Sequence, residues 1–98
     1  MKKINKVFLH ATNDTYNLTQ ILPPSLPIEY TEAWKNQYKD KVWVTTSILT
    51  AINVSAQIVL RYGGKPRIYI VRPDMESLQL IDGNEYICDS AEVLDIYL

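Results

Sequence analysis

The chain has 98 residues, the size of one compact domain over 1–98, which excludes a mechanism in which two large lobes close on a substrate. A hydrophobic content of 47% and ten aromatic side chains (seven Tyr, two Trp, one Phe) place it among globular rather than disordered chains. Ten basic against eleven acidic side chains leave a net charge of −1, so no overall field draws it toward nucleic acid or anionic lipid, and nucleic-acid binding is disfavoured.

Lys3 to Thr12 alternates Val7 and Leu9 against Phe8 and His10, the period of a strand. The opening Met1-Lys2-Lys3 precedes too short and interrupted an apolar run for a signal peptide. Tyr16 to Pro27 intersperses Leu18, Ile21, Leu22 and Leu26 with Pro23, Pro24 and Pro27, a pattern that predicts a structured loop. Thr31 is placed to cap a short helix through Tyr38, with Trp34 and Tyr38 on one side.

Lys41 to Thr46 reads as a second strand. Ser47 is placed to cap the main helix, over about residues 47–62, whose apolar positions are Ile48, Leu49, Ile52, Ser55, Ala56, Val59 and Leu60. Gly63-Gly64 ends it, and Arg67 to Arg72 forms a third strand closed by Pro73. Ser77 to Ile81 and Asn84 to Cys88 flank an Asp82-Gly83 turn signal, and Glu92 to Leu98 is a final strand. This order predicts an α+β domain with mostly antiparallel pairing in its C-terminal half. No apolar stretch approaches the length of a membrane span, and the sole cysteine, Cys88, forms no intramolecular disulfide, so a reducing, cytoplasmic setting is expected.

His10 is the only imidazole, and any histidine chemistry must use it. If the first two strands are neighbours, His10 shares a cleft with Trp43; read as a plain core residue, Trp43 needs no ligand. No metal site is expected from one histidine and one cysteine. Gly63-Gly64-Lys65 lacks the other residues of a phosphate loop, since Val59 and Pro66 stand where glycine and Ser or Thr are needed. None of Ser25, Ser47, Ser55, Ser77 and Ser90 lies in a nucleophile elbow. Asp74 with Glu76 and Asp82 with Glu85 sit beside turns, where solvated surface is the ordinary reading. Arg61, Lys65, Arg67 and Arg72 form no single stripe, because alternation sends Arg67 to the face of Tyr69 and Val71 and Arg72 to that of Ile68 and Ile70.

Three segments together resemble the rifampin ADP-ribosyltransferase family. Phe8-Leu9-His10-Ala11-Thr12 is similar to its strand-end "LHGT" box. Val42 through Ala51 is similar to its second strand and the start of its helix. Gly63 through Pro73 is similar to its glycine-bearing turn and the strand ending "VEP". The resemblance implies a split antiparallel sheet with NAD as co-substrate in its cleft. It implies His10 on the nicotinamide-side ribose, Trp43 stacked on nicotinamide, and Asp82 as the carboxylate that stabilises the oxocarbenium-like centre. Asp74, Glu76 and Glu85 are its alternatives. Ala11, Thr12, Thr45 and Ser47 complete the implied NAD contacts. Ala11 replaces a glycine of the box, Trp43 a tyrosine, and Arg72 the glutamate before Pro73.

Two functions follow from the resemblance. One is an NAD-dependent mono-ADP-ribosyltransferase acting on an unidentified acceptor. The other is a catalytically inactive module that binds NAD, ADP-ribose or a protein partner as inhibitor or regulator. A third reading needs no ligand and uses Trp34, Tyr38 and the proline-rich loop as an exposed protein anchor.

Overall fold

A computed structural model describes residues 6–98. The stretch read as lacking a leader and the first residues of the expected first strand lie outside the described residues. Seven strands and two helices follow one another as β1 (Phe8–Asn13), β2 (Gln20–Ile21), α1 (Glu32–Gln37), β3 (Val42–Thr45), α2 (Ile48–Tyr62), β4 (Pro66–Pro73), β5 (Gln79–Asp82), β6 (Glu85–Cys88) and β7 (Ala91–Ile96). The strands form a single sheet in the order β2-β7-β4-β1-β3-β6-β5, every ladder antiparallel. This is an α+β domain.

Local chemistry sets the element ends. Ser47 accepts the Thr50 amide at 3.2 Å and caps α2, and Gly63, with φ +81°, stops it. Thr31 caps α1, from which Trp34 stacks between Tyr30 and Tyr38 at centroid distances of 5.4 and 5.3 Å. Gly83, with φ +48°, makes the β5–β6 turn. The chain's last strand stops at Ile96, two residues before the expected end. The expected loop from Tyr16 to Pro27 contains β2, a two-residue strand that ladders onto β7.

Alternation puts two cores on the two faces of the sheet. On one face Leu9, Ala11, Trp43 and Ile68 pack beneath Ala51 and Val54 of α2. On the other Phe8, Val42, Val44, Tyr69, Val71, Tyr86 and Cys88 form the second core, which Ile21 helps to close. The small residues Ala51 and Ser55, both fully buried, let α2 lie close to β1 and β4. The Ser55 hydroxyl donates to the Thr12 carbonyl at 2.6 Å and accepts the Arg67 amide at 3.1 Å, so one side chain joins the helix to both strands. Ser55→Ala strands a buried donor and a buried acceptor together, and urea denaturation is expected to show a loss of about 2 kcal/mol. An unchanged midpoint would mean that water replaces the hydroxyl.

Between β1 and β3 the sheet opens. The two strands pair at a single position, Leu9 with Thr45. Beyond it the chain at Ser25 takes the place beside β3, as a parallel bridge to Val42, with the Trp43 amide donating to the Ser25 carbonyl at 2.7 Å.

Candidate ligand cleft between β1 and β3

A cavity of about 480 Å³ lies at this opening. Its walls come from His10, Ala11 and Thr12 of β1, from Leu18 to Pro27 of the following loop, from Trp43, and from Val54 and Ile58 of α2. The volume is that of a small-molecule site. Among the described residues no charged side chain lines it.

His10 is 7% exposed and its Nδ1 lies 2.8 Å from the Trp43 carbonyl oxygen. A carbonyl only accepts, so Nδ1 carries the proton and Nε2 keeps an acceptor lone pair. Burial pulls the His10 pKa below its ordinary value, and the bond to the Trp43 carbonyl opposes this in part. The imidazole is therefore neutral at pH 7. The Ser25 hydroxyl oxygen is 3.2 Å from Nε2 and 3.4 Å from Nδ1. An oxygen almost equidistant from both ring nitrogens lies over the ring face, away from the in-plane lone pair of Nε2. Ser25 and His10 thus lack the in-line geometry of a nucleophile with its general base, although they are neighbours.

Trp43 has a different place from the one implied for it. Its residue neighbours on β1 are Leu9 and Ala11, so its ring belongs to the α2 side of the sheet, whereas His10, by alternation, belongs to the other. The indole is 1% exposed, and its Nε1 donates to Glu85 Oε1 at 3.0 Å. The ring is held in the core and offers no open stacking face; what His10 meets is the Trp43 backbone.

Asp82 stands apart from the cavity. It is exposed at the end of β5, paired with Glu85 in the hairpin, and two strands, β3 and β6, separate β5 from β1. The carboxylate that the fold brings to Trp43 is Glu85, whose Oε1 also accepts the Tyr30 hydroxyl at 2.9 Å. Burial, then the bond to Glu85 and its charge, push the Tyr30 phenol upward, which keeps it a donor. Asp74 accepts the Ser77 hydroxyl at 2.7 Å in the β4–β5 connection, and Glu76 is exposed beside it.

Of the other expected contacts, Ala11 and Thr12 line the cavity, while Thr45 and Ser47 do not. Thr45 is fully buried, donating to the Asn84 carbonyl and accepting the Ser47 amide; Ser47 is the α2 cap. Both serve the β3–α2 junction. Cys88 is fully buried with its thiol pushed up to about 11 by burial, so it is an inert core residue. Ser25 was legible as a serine but not as a neighbour of His10, because nothing local in a proline-rich loop announces that it will pair with β3. Among the described residues no helix is long and apolar enough to cross a membrane, and no group of three acidic, His or Cys side chains is placed to hold a metal. Comparison of the chain with family models, with characterised proteins and with solved structures found no match.

Proposed function

We propose that the opening between β1 and β3 binds NAD or an ADP-ribosyl ligand and that the domain holds this ligand without transferring it. The observation that carries the reading is the neutral, deeply buried His10 in a small-molecule-sized cavity bordered by Thr12 and Ser25. Its Nε2 lone pair suits a ribose hydroxyl, with Thr12 and Ser25 adding hydroxyl partners. Transfer would build positive charge at the anomeric carbon as nicotinamide leaves, and stabilising that charge calls for a carboxylate in the cavity. None lines it. A cytoplasmic setting belongs to the same proposal.

The active transferase is the second reading, and Glu85 favours it. One oxygen of that carboxylate is fixed by Tyr30 and Trp43, and the Trp43 carbonyl in turn accepts a hydrogen bond from His10 Nδ1–H.

Calorimetric titration of NAD into the protein, with nicotinamide release followed alongside, separates these readings. Saturable binding without release is expected, together with loss of binding in a folded His10→Ala variant. Release of nicotinamide with ADP-ribose recovered on an acceptor, both lost in Glu85→Gln, would establish the transferase instead. Absence of heat up to millimolar NAD and ADP-ribose would remove both, leaving the Tyr30, Trp34 and Tyr38 aromatic row as a protein-binding surface.

A further inference from the structure

We infer that Arg67 binds a phosphate or diphosphate group of the ligand at the Thr12 end of the cavity. This rests on the reading of the cleft as an NAD or ADP-ribosyl site, and adds the charge which that site lacks. Arg67 Nε is buried and has no hydrogen-bond partner among the described residues. It is the only buried side-chain nitrogen or oxygen so placed among them. A guanidinium stays protonated throughout the working pH range, so the orphaned donor cannot be relieved by losing its proton. A buried donor left open has room for a partner, and the positive charge of the guanidinium matches an anion.

No acidic side chain fills that role. The two ion pairs among the described residues are Lys41 with Asp89 and Arg72 with Glu92. Asp14, in the turn after β1, gives its Oδ1 to the Lys65 amide at 2.8 Å.

The ladder between β1 and β4 sets Arg67 directly opposite Thr12, and Tyr69 opposite His10. By alternation these four side chains share the face away from α2. Opposed residues of an antiparallel pair have Cβ atoms about 4.5–5.5 Å apart, so Arg67 adjoins a cavity-lining residue although it does not line the cavity itself. The Tyr69 hydroxyl donates to the Tyr16 carbonyl at 3.0 Å and accepts the Leu18 amide at 3.2 Å, which holds the loop over this face. Leu18 also lines the cavity. The Ser55 bond to the Arg67 amide fixes the strand beneath. A ligand whose ribose meets His10 would extend past Thr12 toward this guanidinium. Its forked N–H groups match phosphate oxygens bidentately.

The test uses the whole chain and reads Arg67 itself. Sodium pyrophosphate is titrated into the ¹⁵N-labelled protein while the Arg67 Nε–Hε resonance is followed, and NAD and nicotinamide riboside are titrated by calorimetry into the native protein and Arg67→Gln. Pyrophosphate is expected to shift the resonance saturably. Arg67→Gln is expected to weaken NAD about 10- to 100-fold and leave nicotinamide riboside unchanged. If NAD binds the native protein, while pyrophosphate leaves the resonance in place and Arg67→Gln binds NAD equally well, the anion site is wrong and the cleft reading survives. If NAD fails to bind but pyrophosphate still shifts Arg67, the anion site stands without the dinucleotide. Neither binding overturns both. The native-protein titration decides the matter even if Arg67→Gln folds poorly.

Discussion

Trp43→Ala is expected to cost about 3–5 kcal/mol, a large share of the stability of a domain of this size. The indole is 1% exposed among Leu9, Ala11, Ala51, Val54 and Ile68, where β1, β3, β4 and α2 meet. Removing it opens a void that this junction cannot close, because β3 is held by the β6 ladder on one side and by Ser25 on the other. It also deprives Glu85 of one of its two donors. Trp43→Phe keeps an aromatic ring but loses the N–H and three ring atoms, so a smaller loss of about 1–3 kcal/mol is expected. Urea denaturation of both variants measures this. Because the ring has no open face, Trp43→Phe should bind NAD as the native protein does. A stable Trp43→Phe variant that no longer binds NAD would show that the ring contacts the ligand after all.

Acid should destabilise the fold through His10. The folded protein holds this imidazole neutral, with its pKa lowered by burial, whereas in the unfolded chain it takes a proton near its ordinary 6.5. Below that pH the unfolded state binds more protons than the folded one, so stability contributed by His10 is complete above 6.5. It falls as the pH drops toward the lowered folded value, by up to about 1.4 kcal/mol for each pH unit, and levels off below it. Among the described residues no charged group lines the cavity to accept the imidazolium as a partner. Denaturation midpoints at pH 7 and pH 5 should differ clearly in the native protein. The difference should shrink in His10→Gln, whose side chain does not titrate. Equal acid sensitivity in the two proteins would assign the effect to other groups.

The element pattern was largely legible because its signals are local. The Ser47 cap, Gly63-Gly64, Asp82-Gly83 and the alternating strands each act within a few residues, and α2 runs Ile48–Tyr62 beside an expectation of 47–62. Its face differs from the expected one, since Ala51, Val54 and Ser55 are buried while Leu49, Ile52, Ala56 and Leu60 of the expected apolar side are exposed. Alternation within β4 likewise separated Arg67, Tyr69 and Val71 from Ile68 and Ile70, as the two cores show. The two-residue β2 escaped because three prolines follow closely after it and its partner lies some seventy positions later in β7.

The site was legible in its first strand and not beyond it. His10, Ala11 and Thr12 all line the cavity because the sheet opens beside β1, but Asp82, Thr45 and Ser47 lie elsewhere. By itself the sequence determined an α+β domain, its one long helix, a single histidine on the first strand, and the side of β4 from which Arg67 projects; the structure extends that strand to Asn13 and so puts His10 within it rather than at its end. Only the tertiary structure decided that the sheet opens beside Leu9, that Ser25 enters the opening, that Trp43 faces α2 rather than His10's side, and that Glu85 and not Asp82 reaches the indole. Periodicity states which residues of one strand share a face. Which strands meet, and in what register, depends on contacts between distant parts of the chain, and those arise only when the two cores pack together.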